Sequence, residues 1–220
     1  MELRTLLLMG AATGRFISDN IGNENSTQTP ANTSNSDRNL HNGDNSLDEG
    51  QDKRKRVMVV GDSIVKFVLD HKLSSVEAKV TVHPQSGSTV EDLEDYIKPI
   101  IRKKPDEIIL HVGTNDLASQ QGAVEIAGNI ASLGKTVSRA GIKVTISSIT
   151  ARNRKHEDHL KDKLTRVNDS LQRIASENRF GFIDNSNIDP SCLNRSYLHL
   201  NPTGTKKLID NFKGDLYSNN

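Results

Sequence analysis

Four short stretches hold the residue types that acyl-transfer chemistry needs: Gly61-Asp62-Ser63, Ser86-Gly87-Ser88-Thr89, Gly113-Thr114-Asn115-Asp116 and Leu198-His199-Leu200-Asn201. That chemistry requires a hydroxyl nucleophile, an imidazole near it as general base, and donors aimed at a developing oxyanion. Ser63 follows the apolar run Val57-Met58-Val59-Val60, which stops at Gly61. It is thereby expected on the first turn of a helix, where free N–H groups and the positive dipole end favour negative charge. Asp and Ser directly after a strand also serve as simple N-caps, so this stretch alone leaves both readings open.

The elements that must position these loops follow from hydrophobic periodicity. Val57–Val60 has the continuous apolar character of a buried parallel strand, and Ile64 to Leu69 begins a helix. A second strand is expected over Ala78–His83, a third over Glu107–Val112, a fourth over Lys143–Ser148 and a short fifth over Phe180–Ile183. Between them, Val90, Leu93, Ile97, Ile100 and Ile101 recur at helical spacing, opened by a Thr89/Asp92 pair that resembles a capping box and closed before Pro105. Further helices are expected over Ala123–Arg139, over Glu157–Asn178, and from Asn201 onward with Leu208, Ile209 and Phe212. Such alternation implies a parallel sheet covered by helices on both faces, with right-handed crossovers. In that architecture ligands bind beyond the carboxyl ends of the strands, where the four stretches fall.

Composition divides the chain. Residues 1–55 are rich in Asn, Ser, Thr, Gly and Asp, and from Ser18 to Lys53 apolar periodicity is almost absent. Such a segment cannot bury enough apolar surface to offset its ordering entropy, so a disordered polar tail is expected there. It ends in the basic linker Lys53-Arg54-Lys55-Arg56. The folded domain is assigned to residues 56–216, with 217–220 as a short tail. A net charge of +1 in 220 residues argues against a strongly nucleic-acid-binding surface; the basic run reads as a solvated boundary between the polar tail and the domain, with a nuclear signal or a phosphate-binding patch for a nucleic-acid partner as the alternatives. The run Leu6–Ala12 is short for a signal-peptide core, and Cys192 is the sole cysteine, so an intracellular location, cytoplasmic or nuclear, is favoured over secretion. No stretch has the roughly 20 apolar residues of a membrane span. Aromatic residues are 4% of the chain and tryptophan is absent, which argues against an extended sugar-stacking platform; a small acetylated ligand and a lipid acyl chain both stay open.

In order and spacing, Gly61-Asp62-Ser63, Gly87, Gly113-Thr114-Asn115-Asp116 and His199 resemble the SGNH hydrolases, also called GDSL-type esterases and lipases. The resemblance covers roughly Arg56 to Phe212. It implies a three-layer α/β/α sandwich with a five-stranded, flavodoxin-like parallel sheet, and a carboxylic ester hydrolase that uses no metal or organic cofactor. It also implies roles: Ser63 as nucleophile, His199 as base, and an oxyanion hole from the Ser63 and Gly87 N–H groups with the Asn115 side chain. A neutral amide such as Asn115 costs less to bury than a charge. Asp62 and Asp116 read as structural acceptors for loop amides, and His83 and His111 as core or rim residues.

One position departs from the family pattern, which places an aspartate three residues before the catalytic histidine; here Ser196 stands there. Without a carboxylate the imidazole loses the partner that fixes its tautomer. The Ser196 hydroxyl, a backbone carbonyl or a water is the expected substitute, with Asp189 as an alternative carboxylate. Gly-Asp-Ser-Ile-Val-Lys and Leu-His-Leu-Asn-Pro-Thr-Gly-Thr also resemble the esterase-like domains in the first reading frame of some LINE-type retrotransposons. This second resemblance implies an alternative to the ester hydrolase: a catalytically weak or inactive binding or assembly module, associated with nucleic acid through Lys53–Arg56.

Overall fold

The computed structural model describes residues 52–151 and 159–218. The tail expected before residue 52, His156 and the side chain of His159 lie outside the described residues.

Five parallel strands form one sheet in the order β2-β1-β3-β4-β5. They are β1 (Lys55–Gly61), β2 (Ala78–Pro84), β3 (Glu107–His111), β4 (Lys143–Ser147) and β5 (Gly181–Ile183). Their connecting helices are α1 (Asp70–Leu73), α2 (Val90–Arg102), α3 (Ala123–Arg139), α4 (His159–Asn178) and α5 (Pro202–Tyr217). This is the three-layer α/β/α architecture with the flavodoxin-like strand order, whose switch point lies between β1 and β3.

Strand periodicity splits the core into two layers. Met58, Val60, Ile108 and Leu110 point into the cluster beneath α2, α3 and α4. Val57, Val59 and Ile109 point to the other face, against α1 and the α5 residues Leu208 and Phe212. Both faces of the central strands are buried, which is why β1 and β3 read as continuous apolar runs. At the start of α2, Thr89 accepts from the Asp92 N–H while Asp92 accepts from the Thr89 N–H at 2.8 Å. This reciprocal cap contributes about 1 kcal/mol and sets the entry angle of the helix.

The segment after β1 differs from expectation. In place of a helix from Ile64 to Leu69, Ser63–Phe67 forms a five-residue 3-10 helix, Val68 and Leu69 are extended, and α1 is a separate short turn. Ile64, Val65 and Val68 are β-branched, which disfavours a continuing α-helix, and all three are buried in the core beside α5. The basic run also differs from a free linker. Lys55 and Arg56 are the first residues of β1, and Lys55 pairs with the buried Glu107 at 2.6 Å.

Candidate active site

Register fixes where the loops leave the sheet. Gly61 lies opposite Pro84 on one side and His111 on the other, so the chain exits β1, β2 and β3 at one level. A Cβ at position 61 would lie 2.3 Å from the His111 carbonyl oxygen, so the approach of β1 to β3 requires glycine. The Asp62 N–H then donates to that same carbonyl at 3.1 Å, which turns the chain and starts the 3-10 helix at Ser63.

Three side chains, two carboxylates and one amide, brace these loops. Asp62, fully buried, accepts from the Ile64 N–H at 2.9 Å and from the Thr114 N–H at 3.2 Å, tying the β1 loop to the β3 loop. Desolvation pushes its carboxyl up to about 6, against the hydrogen bonds from Ile64 and Thr114 that favour the anion. Asp116 accepts from the Val90 N–H at 3.2 Å, tying the β3 loop to the first turn of α2, and burial raises its pKa. Asn115 Nδ2 donates to the Ser88 carbonyl at 2.8 Å. The two aspartates are thus acceptors for loop amides, as expected from the sequence.

The fourth loop arrives from the far edge of the sheet. Leu193 and Leu200 form an antiparallel bridge, and the Asn194 N–H donates to the His199 carbonyl at 2.8 Å, so residues 193–200 make a closed turn. Asn201 caps α5 by accepting from the Gly204 N–H at 2.9 Å, and its Nδ2 donates to the Ser191 and Leu193 carbonyls. The turn delivers His199 across 136 residues of sequence, with Nε2 3.1 Å from Ser63 Oγ. Nε2 accepts the Ser63 proton in the tautomer that carries the imidazole proton on Nδ1.

Ser63 and His199 are therefore brought together, and both are half-buried. Among the described residues, the Ser63 and Gly87 N–H groups donate to no protein acceptor. Gly87 takes φ +83, in the left-handed region, and open space adjoins it. Asn115 uses one of its two amide N–H donors on Ser88 and keeps the other.

Ser196 does not orient the imidazole. Its hydroxyl donates to Asn194 Oδ1 at 2.6 Å and its N–H to the same oxygen at 3.1 Å, so the local Asx turn takes the side chain that was expected to face the ring. Asp189 is no substitute, because it caps a 3-10 turn by accepting from the Ser191 N–H and faces Lys207 at 3.6 Å. Among the described residues, His199 Nδ1 has no hydrogen-bond partner.

The basic run lies away from this site. Six steps along β1 put Lys55 about 20 Å from Gly61 at the opposite end of the strand. Arg54 is held by Asp52 at 2.7 Å, and the Arg56 guanidinium donates to the Lys103 and Lys104 carbonyls. Three of its four basic side chains are thus engaged within the fold.

A buried polar chain beneath the site was not apparent from the sequence. His111 Nδ1 lies 2.9 Å from Ser147 Oγ, Asn185 Nδ2 donates to Ser147 Oγ at 2.8 Å, and Asn211 Nδ2 donates to Asn185 Oδ1 at 2.9 Å. It links the carboxyl ends of β3 and β4 to the loop after β5 and to α5. Burial drives the His111 imidazole down to about 4, so it is neutral in this chain. The Asn-rich run Asn185-Ser186-Asn187 after a strand was its one sequence signal.

Residues 59–207 match the model of the GDSL-like lipase/acylhydrolase family. Among solved structures, the fold is similar to a GDSL-like lipase from Bacteroides thetaiotaomicron, with 18% identity and TM-score 0.63 over 74% of this chain and 88% of that one. It is similar also to a lipase/acylhydrolase from Enterococcus faecalis, with 17% identity and TM-score 0.61 over 73% of this chain and 96% of that one. A catalytic mutant of an acetylxylan esterase from Geobacillus stearothermophilus gives 17% identity and TM-score 0.62 over 74% and 94%. No curated protein sequence matches the chain.

Proposed function

Because the chain belongs to the GDSL-like lipase/acylhydrolase family, we propose that it is a serine ester hydrolase acting through Ser63 and His199. The observation that carries this reading is the 3.1 Å contact between His199 Nε2 and Ser63 Oγ at the switch point of the sheet. Ser63 Oγ attacks the ester carbonyl while Nε2 takes its proton. The protonated imidazole then gives that proton to the leaving alkoxide, and water, deprotonated by the same nitrogen, releases the acyl group from Ser63. The uncommitted N–H groups of Ser63 and Gly87, with the remaining Asn115 amide proton, supply the oxyanion donors.

A second reading, a catalytically weak module of this fold acting by binding or assembly, is favoured by the His199 Nδ1 that no described carboxylate meets. A nucleic-acid partner for that module would have to use the Lys53–Arg56 run, of which Arg54, Lys55 and Arg56 already have intramolecular partners.

Hydrolysis of p-nitrophenyl acetate and butyrate by wild type, Ser63→Ala and Ser196→Asp separates the two readings. The expected result is turnover that falls to background in Ser63→Ala and rises by about tenfold or more in Ser196→Asp, where a carboxylate has no proton to give Asn194 and is released toward the ring. Wild type indistinguishable from Ser63→Ala, with no gain in Ser196→Asp, would refute the hydrolase in favour of the module.

A further inference from the structure

The amino ends of the five strands form the end of the domain opposite the Ser63–His199 pair. Helices α2, α3 and α4, which cover one face of the sheet, run back to this end and stop there in short turns. Exposed basic side chains stand on or just past the last turn of each: Arg102, Lys103 and Lys104 at α2, Arg139 at α3 and Arg179 at α4. None of the five has an acidic partner among the described residues. With neighbouring helices 8–10 Å apart, the row is roughly 18 Å long. Glu177 is the one acid in the last turns of these three helices. Other acids of this end are taken up within it. Asp52 pairs with Arg54 at 2.7 Å, Asp106 accepts from the Arg56 N–H at 2.7 Å, and the buried Glu107 is shared by Lys55 and Lys143. Residues 1–51 carry seven acidic and three basic side chains, so the net charge of +1 for the chain leaves +5 on residues 52–220.

Cations in the last turn of a helix offset its dipole, which accounts for Arg102 and Arg139. Lys104 and Arg179 need another reason, because they lie past the last turn with φ +49 and φ +58. At the same place after α3 the chain has Gly141, φ +77, for which that conformation carries no Cβ penalty. The α4 turn is in other respects a glycine-type stop: the Phe180 N–H donates to the Ala175 carbonyl at 2.9 Å and the Arg179 N–H to the Ser176 carbonyl at 3.3 Å. Two long cations are thus held where glycine would strain the fold less, and strain of this kind clusters at positions whose side chains are used.

Shape and chemistry identify the partner. The turns into the next strands take only residues 103–106, 140–142 and 179–180, so the face is flat and no element projects from it to enter the groove of a nucleic-acid duplex. The exposed aromatic rings, Phe67 and Tyr197, are at the other end of the strands, so none is here to stack bases. Val76 is 89% exposed and stands at this end, where the Ser75 N–H donates to the Ala78 carbonyl and the Lys55 N–H to the Glu77 carbonyl. A flat face of uncompensated cations with an apolar side chain at its edge complements the anionic surface of a lipid bilayer.

We propose that this end of the domain docks on an anionic lipid bilayer, with Arg102, Lys103, Lys104, Arg139 and Arg179 against the headgroup anions and Val76 in the interface. The bilayer then lies about 20 Å from the Ser63–His199 pair, which stays open to water, so docking does not depend on whether Ser63 turns over an ester.

The test is co-sedimentation of the full chain with vesicles of phosphatidylcholine, with and without about 30% phosphatidylserine. Binding is expected only with phosphatidylserine, and is expected to fall steeply between about 0.1 M and 1 M salt, where the screening length shrinks from about 10 Å to 3 Å. Lys104→Gly with Arg179→Gly is expected to weaken it about fivefold for each cation removed, while thermal unfolding occurs at the same or a higher temperature because glycine relieves both turns. Val76→Asp is expected to weaken binding with thermal unfolding unchanged. Equal binding to phosphatidylcholine alone, or binding indifferent to the folded glycine variant, would overturn the face. A glycine variant that melts below wild type would overturn the argument that the two cations are kept at a cost to the fold. Retention of a DNA or RNA duplex, lost in the glycine variant, by a chain that ignores the vesicles would overturn the bilayer as partner in favour of nucleic acid.

Discussion

Replacing Gly61 by alanine tests whether the β1–β3 approach is what aims Ser63. The added Cβ would meet the His111 carbonyl oxygen at 2.3 Å, with Val65 Cγ2 at 3.2 Å, whereas ordinary contact begins near 3.4 Å. Relief therefore needs a displacement of about 1.1 Å, and the obstacle is a strand carbonyl that already accepts from the Asp62 N–H. Overpacking of this kind costs about 1–3 kcal/mol, and loss of the Asp62 N–H bond about 1 kcal/mol more. A domain with ordinary stability of 5–15 kcal/mol stays folded under that load. Ser63 lies two residues on, so the same shift moves its Oγ relative to His199 Nε2. Misplacement of a reacting group by about 1 Å costs on the order of 10²-fold in rate. The assay is kcat/KM on p-nitrophenyl butyrate alongside urea unfolding, with wild type and Ser63→Ala as limits. A Gly61→Ala variant that matches wild type in both stability and kcat/KM would refute the argument that this contact positions the nucleophile.

Asn115→Ala is expected to lower kcat by about 10²–10³-fold, the usual cost of an oxyanion donor. If kcat is kept while only stability falls, the side chain serves solely to hold the Ser88 carbonyl. The buried Asp62 has a pH signature: burial raises its carboxyl from 3.8 to about 6, so the folded state favours the protonated form. A group of this sign gives stability that is complete below about pH 4 and lost as pH rises through about 6, about 3 kcal/mol for a shift of about two units. Asp62→Asn removes the titration. Denaturant unfolding between pH 4 and 7 is expected to show wild type losing about that much relative to the variant as pH rises; a constant difference would contradict it.

The sequence by itself determined the layered sheet and most of its elements, because parallel strands buried on both faces must be written as apolar runs and the helices over them at 3.6-residue spacing. It fixed α3 at Ala123–Arg139 and the Thr89–Asp92 cap of α2. It also singled out the four loops that hold Ser63, Gly87, Asn115 and His199, while the roles of Ser63 and His199 came from the resemblance those loops carry together. Periodicity could not foresee the 3-10 helix at Ser63–Phe67, where burial of Ile64, Val65 and Val68 against the α5 layer overrides the helical tendency. Nor could it say where the Ser196 hydroxyl points, which the Asn194 turn decides. The His111–Ser147–Asn185–Asn211 chain joins residues from several elements. Contacts of that kind depend on which elements the sheet order sets side by side, and strand order is a property of the packed core that no single segment carries.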